Sequence, residues 1–497
     1  RFWDYSIMFG RERYIFPAGQ PIYAYIEAPR QFLWGLPFLL PGLDIVGMRL
    51  WNALVYIVPY ILLGWAAFRY TTRGWKALLG GLWAYIFLSQ GPIYSQLIFV
   101  ALLVALGWYR RWWVALPVFL LASYLAYISR ITWTVAPLLW MLMLLAGHAS
   151  IPWKVIWGRK LSRLALAIAA LGVVILGVLK IPSLYPMLVD MMTRQPLLWY
   201  RLFPNPTYPA GILLGLILAT GPVIFLSIYL IRTKKWLLDK VRTAILFGIL
   251  TVAFVVGIVV SAKIGGGADL HNMDIFLLSV LFLAVLAWRN GADKVVSNLE
   301  LHPVAVKVAC LLLVLLPAFQ QLQAVRPLVQ ESDQLVRSTL ILLGKDDSRL
   351  LPLHTETAQA LAEIQGQVAR AGQSGEVLLM DQRQLLTFGY VPKVPLVVEY
   401  EKKLMIDLAF SGDGTYFAAF YRDISTQRFA LIVSEPLRAR QEPSQQVTGS
   451  FAEEDDIWIT WVAGPVLCYY EPVFTDETIS VQLLAPRKVP LDCPQYP

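Results

Sequence analysis

The chain has 497 residues, 57% of them hydrophobic and only 15% charged, with a formal net charge of +9. Soluble domains carry about 25% charged residues, so a soluble enzyme, a disordered protein and a nucleic-acid module are excluded as descriptions of the whole. A multi-pass membrane protein remains.

Residues 1–45 read as a long aromatic loop ahead of the first apolar segment. Its acids are Asp4 between Trp3 and Tyr5, Glu12 between Arg11 and Arg13, and Glu27 ahead of Ala-Pro-Arg. The stretch 31–40 is rich enough in Leu, Phe and Trp to lie in the membrane interface as an amphipathic helix. A carboxylate held there among aromatics is partly desolvated, which raises its basicity. Asp4 is the leading candidate, with Trp3 and Tyr5 able to stack on a sugar. Arg11 and Arg13 make Glu12 a poorer base, and Glu27 suits an ion pair with Arg30. Asp4 equally suits a local cap or an ion pair with Arg1 or Arg13.

A window of about 19 residues then marks apolar segments at 46–68, 75–89, 94–109, 112–128, 131–147, 164–179, 211–231, 243–261, 273–288 and 304–322. The pair 75–89 and 94–109, split by Gln90-Gly91-Pro92, reads as two short helices with a tight turn, or else as a re-entrant hairpin. Alternate loops carry about 17 and about 5 basic residues. The positive-inside rule puts the richer set in the cytoplasm and leaves 1–45 and the C-terminal region outside. Cations gather among these segments, about 29 basic against 12 acidic before Lys345, so no nucleic-acid partner is expected.

Two outer loops carry candidate chemistry. In 180–210, Arg194 and Arg201 can clamp a phosphate or can simply snorkel at the interface. In 261–274, Lys263 precedes Gly265, Gly266 and Gly267, whose backbone N–H groups can converge on an anion. Asp269, His271 and Asn272 follow and suit a polar cavity; a flexible turn with capping side chains is the alternative. No Cys/His spacing demands a metal ion, and no cofactor is expected, although a divalent metal stays open.

From about Gln323 the composition is that of a soluble domain. A helix is expected over 354–371, buried strands over 376–380 and 429–434, and helices over 400–410 and 415–427 about the turn SGDG. The stretch 438–456 reads as a loop. Cys310 lies in a span, whereas Cys468 and Cys493 fall outside, where a disulfide between them can persist; two unpaired cysteines, one of them buried, are the alternative.

The acidic first loop, the interfacial helix with Pro and Trp, the sequence GMRLWNAL opening a span, and KIGGGADLHN (263–272) together resemble the GT-C membrane glycosyltransferases. The protein-mannosyltransferase and aminoarabinose-transferase group is the nearest in pattern. The resemblance implies a helix preceding Arg1, Asp4 in the position of the acceptor-activating acid, and a polyprenyl-phosphate-linked sugar as donor. The expected architecture is thus an α-helical polytopic protein of about ten to eleven transmembrane helices with a small C-terminal α/β domain. Its parts are a first loop (1–45), a multi-span domain (46–322) and an extracytoplasmic soluble domain (323–497). Glycosyl transfer at the outer side of a cytoplasmic membrane is the expected function, with Arg194, Arg201, Lys263 and Gly265–Gly267 on the donor phosphate. The competing expectation is a non-catalytic GT-C-like subunit that meets membrane lipids through its spans and protein partners through its C-terminal domain.

Overall fold

The structure is a computed structural model that describes residues 2–16, 28–69, 74–91, 93–108, 110–147, 172, 193–205, 208, 210–263, 270–324, 354–438, 456–477, 479–489 and 491. Two helices precede the bundle, α1 (Phe2–Phe9) and α2 (Ala28–Gly35). The bundle itself contains α3 (Ile45–Phe68), α4 (Trp75–Leu88), α5 (Ser95–Trp108), α6 (Trp112–Ser129) and α7 (Ala136–Ala146). It continues with α8 (Gly211–Arg232), α9 (Lys240–Ala262), α10 (Asp274–Ala287), α11 (Asp293–Ser297) and α12 (Val304–Ala324). Nine of the ten apolar windows are therefore helical, and the tenth, 164–179, lies outside the described residues.

Among the described residues, Ile45–Phe68, Gly211–Arg232, Lys240–Ala262 and Leu270–Ser297 are long and apolar enough to cross a membrane. Their ends follow from local chemistry. The Asp44 carboxylate accepts from the Gly47 N–H at 2.7 Å and starts α3; Asp239 accepts from the Arg242 N–H at 2.8 Å and starts α9.

Packing sorts these helices by depth. The Leu270–Ser297 segment is 89% buried inside the protein, against 28% for α9, so α10 is the axis of the bundle and α9 lies at its rim. Two indoles from the α6–α7 region hold that axis: Trp133 donates to Asp274 Oδ2 at 2.5 Å and Trp140 to Ser279 Oγ at 3.1 Å. The helices α3 and α4 meet through small residues. A Cβ on Gly64 would lie 2.5 Å from the Ala84 Cβ and 2.7 Å from the Gly81 Cα, an approach only glycine permits.

The bundle has two different ends. At one, the Gly147 carbonyl accepts from Trp236 Nε1 and Asn290 Nδ2, which gathers the end of α7, the α8–α9 turn and a π turn at Trp288–Ala292. This end carries Arg232, Lys234, Lys235, Arg289 and Lys294. The other end is covered by the C-terminal domain.

That domain is a four-stranded sheet in the order β1-β2-β4-β3, built from β1 (Glu376–Leu379), β2 (Phe429–Ser434), β3 (Tyr470–Asp476) and β4 (Val481–Pro486). The first two strands are parallel, and β4 runs antiparallel to both of its neighbours. Around it lie α13 (His354–Ser374), α14 (Gln384–Thr387), α15 (Lys402–Ser411), α16 (Gly414–Ser425) and α17 (Gly464–Tyr469). Leu378, Ile432 and Leu484 face the core made by α15 and α16, whereas Val377, Leu379, Leu431 and Val433 face the one shared with α13. Burial on both faces is why β1 and β2 read as unbroken apolar runs. The SGDG turn works as its residues dictate: Gly412 adopts a left-handed φ of 67° to end α15, and the Asp413 carboxylate caps α16.

The β3–β4 hairpin is absent from the sequence expectation. Pro472 counts against a strand, but β3 is the edge strand and a bulge follows the proline, so its missing N–H costs no ladder bond. The expected loop 438–456 lies almost wholly outside the described residues.

Candidate functional site

Helix α1 is wedged between the bundle and the C-terminal domain, and its consecutive side chains divide between them. Trp3 enters the core of the sheet beside Val377 and Leu379, and the Arg383 guanidinium covers its ring at 4.6 Å. Tyr5 enters a separate core with Met48 and Val55 of α3 and stacks on Trp34 at 5.6 Å. Asp4, between them, is half-buried on the remaining face, and its carbonyl accepts from Gln31 Nε2 at 2.7 Å. The expectation that Trp3 and Tyr5 stack on a sugar is therefore corrected. Both rings are buried in protein, at 4% and 7% exposure, because each completes a core that would otherwise be open.

The wedge is locked by polar contacts. Tyr14 shares its hydroxyl with Ser6 Oγ at 2.7 Å and Thr387 Oγ1 at 2.5 Å, and burial pushes that phenol up to about 12. Arg13 donates to the carbonyls of Thr387 and Leu43, linking domain to bundle. Leu396 N–H donates to the Ile15 carbonyl at 2.7 Å. Glu12 is exposed on a single 3-10 turn. Glu27 and Arg1 lie outside the described residues.

Arg383 is the cation of this seam. It donates to the carbonyls of Leu379 at 2.9 Å and Val397 at 2.8 Å, while Nη1 has no hydrogen-bond partner among the described residues. Burial lowers it to about 10, opposed by the charges of Glu401 and then Asp4, so it remains a cation at neutral pH. Glu401 also caps α15 by accepting from the Leu404 N–H.

At the far end of α15 the expected donor cations assemble. The Asp407 carbonyl accepts from Gln195 Nε2 at 3.5 Å, and the Gln195 carbonyl accepts from Lys263 Nζ at 3.1 Å. Arg201 is buried and donates to the carbonyls of Ser261 at 3.3 Å and Lys263 at 2.9 Å, where the end of α9 leaves acceptors unused. Arg194 is exposed one residue before Gln195. The structure thus brings Arg201 and Lys263 together and leaves Arg194 at the surface; Gly265, Gly266, Gly267 and Asp269 lie outside the described residues.

His271 and Asn272 join a different group. Arg130 donates to Asn272 Oδ1 at 3.3 Å and lies 5.9 Å from the ring centres of both Tyr94 and Trp133. His271 sets its edge against Tyr94 at 6.1 Å. Ser129 Oγ, Thr134 Oγ1 and Asn272 Nδ2 are buried here without hydrogen-bond partners among the described residues. Sequence reasoning counted Arg130 only as a loop cation. The available signal was its isolation on the cation-poor side, directly before the aromatic run ITW.

Sequence reasoning also missed Arg383 and two acids of the C-terminal domain. Asp381 follows β1 and accepts from the Glu435 N–H, just past β2, at 2.8 Å; burial pushes its carboxyl up to about 7 although Lys402 lies 3.9 Å away. Burial likewise raises Asp407, against the pull of Lys403 at 3.7 Å. Among the described residues no cluster of His, Cys, Asp and Glu is arranged to hold a metal ion. No family model matches the chain, and no curated protein matches it either.

Proposed function

We propose that the protein is a membrane glycosyltransferase of the GT-C type. In this reading it transfers a sugar from a polyprenyl-phosphate donor to an acceptor hydroxyl on the extracytoplasmic side. The observation that carries the reading is the seam along α15, with half-buried Asp4 near its start and the Lys263–Arg201 pair at its end. The Asp4 carboxylate accepts the acceptor's proton as the acceptor oxygen bonds to the anomeric carbon. The bond from that carbon to the phosphate oxygen breaks, and its electron pair stays on the departing phosphate beside the cations. Aromatic stacking by Trp3 and Tyr5 has no part in this scheme.

The topology belongs to the same reading: ten spans, the basic end in the cytoplasm, and residues 323–497 outside with Cys468 bonded to Cys493. Support for the disulfide comes from Leu491, whose N–H donates to the Cys468 carbonyl at 3.2 Å and so brings the chain to within two residues of Cys493. Non-reducing mass spectrometry should recover the crosslinked peptide; two free thiols would remove it.

The protein reconstituted with a glycosyl-phospholipid tests the chemistry. Asp4→Asn should lower transfer by on the order of 100-fold or more with the fold intact. Parental activity in that variant, with loss in Glu27→Gln, would move the base to Glu27. A specific observation favours a second reading, that of a structural subunit. The N–H donors of Arg13, Arg201 and Lys263 described above go to backbone carbonyls, Arg13 joining domain to bundle and the other two joining the 193–202 segment to the end of α9. Failure of the unaltered protein to bind any glycosyl-phospholipid would select it.

A further inference from the structure

At the basic end of the bundle lies a cavity of about 700 Å³ lined by Lys235, Arg289, Lys294 and His302, with Asp293 as the one acidic group among the described residues that line it. The sequence builds it with two irregularities. Lys234 takes a left-handed φ of 57° at the end of α8, which turns the chain so that Trp236 is buried as a plug. The π turn then breaks the helix between α10 and α11, where Gly291 has a φ of 121° that strongly favours glycine. Asn290 fixes the turn by donating to the carbonyls of Leu286 at 2.7 Å and Gly147 at 3.4 Å.

Three cations converge on this space against one carboxylate, an arrangement whose mutual repulsion an anion would relieve. His302 does not neutralise them. Its Nε2 lies 3.2 Å from Lys235 Nζ and its Nδ1 lies 3.0 Å from the Tyr229 hydroxyl, so a neutral ring accepts from the lysine and holds it in place. Partial desolvation, and then the charges of Lys235 and Lys307, keep that ring below its ordinary value, in agreement with the geometry. The rim has the opposite character. Leu301 is 78% exposed, Val304 72% and Leu237 66%, beside helices whose outer faces are apolar.

We propose that this cavity binds the phosphate-bearing headgroup of an anionic membrane lipid, with Arg289, Lys235 and Lys294 on the phosphate and the acyl chains against Leu301 and Val304. Planar guanidinium and ammonium donors suit phosphate oxygens, and basic pockets between membrane helices select anionic headgroups. A soluble phosphate would share the polar chemistry but would leave the apolar rim in water. The inference rests on membrane integration and is independent of glycosyl transfer.

Native mass spectrometry of the full chain in a neutral detergent tests it, with phosphatidylglycerol and phosphatidylcholine of matched acyl chains as probes. The parent should retain phosphatidylglycerol over phosphatidylcholine by about tenfold or more. The pair Arg289→Gln and Lys294→Gln should erase that preference, whereas Lys76→Gln, an exposed cation on α4, should keep it. Leu301→Ser keeps every cation, adds no charge and should weaken retention through the rim alone, which guards against misfolding of the double variant. An unchanged preference in the double variant, or an equal loss in Lys76→Gln, would overturn the site in favour of diffuse attraction. Millimolar inorganic phosphate bound in a pocket-dependent way, without any headgroup preference, would overturn the lipid assignment and leave a soluble anion site.

Discussion

The two ends of the bundle use the same residue types to opposite effect. At the end covered by the C-terminal domain, Arg13, Arg201, Lys263 and Arg383 each donate to backbone carbonyls. Arg13, Arg201 and Lys263 act there as fasteners between segments far apart in sequence, and Arg383 as one within the C-terminal domain. At the basic end, Lys235, Arg289 and Lys294 are exposed around an open cavity. Counting positive charges therefore orients the chain but does not tell which of them are available to a ligand.

This contrast can be broken by neutral substitutions read as thermal unfolding in one detergent. Arg383→Met is the most severe. It leaves the Leu379 and Val397 carbonyls without their donor and Glu401 and Asp4 without their buried counter-charge, and should cost about 3 to 5 kcal/mol. Arg201→Met removes the fastener at the end of α9 and should cost about 2 kcal/mol. At the opposite end Arg289→Met should change stability by no more than about 0.5 kcal/mol. A loss there as large as that of Arg201→Met would erase the distinction between the ends.

A pH series sharpens the comparison within the capped end. The Asp381 carboxyl titrates at about 7 in the fold, against about 3.9 in an unfolded chain. The fold binds this proton more tightly, so the group's contribution is fully present below pH 4 and is lost as pH rises through 7. Asp381→Asn should flatten that decline and leave the variant more stable than the parent at pH 8 by about 1 to 2 kcal/mol. A parent whose stability does not fall between pH 4 and 7, or a variant with the same slope, would show that water reaches Asp381.

The bundle was legible because burial in lipid or protein demands long apolar runs, which composition alone reveals. The same holds for β1 and β2, apolar on both faces. What escaped was pairing between distant positions. Arg13 meets Thr387 across 374 positions and Arg130 meets Asn272 across 142, and no local pattern announces either. Asp4 could be singled out from its neighbours, but Arg383 could not be joined to it. The roles of Trp3 and Tyr5 failed for a related reason: an aromatic pair flanking an acid looks the same whether it awaits a ligand or fills two protein cores.

The deep burial of α10 bears on how the chain is made. Its segment has a mean hydropathy of 2.0, apolar enough to enter a bilayer by itself as it emerges. Lipid must then give way to protein around nearly its whole circumference, and water-driven collapse offers no help, since acyl chains solvate leucine as well as other helices do. What distinguishes the right neighbours from lipid is hydrogen bonding. The indoles of Trp133 and Trp140, synthesised more than a hundred residues earlier, reach Asp274 and Ser279. They serve as addresses that the late-formed axis of the bundle finds when it docks among helices already in the membrane.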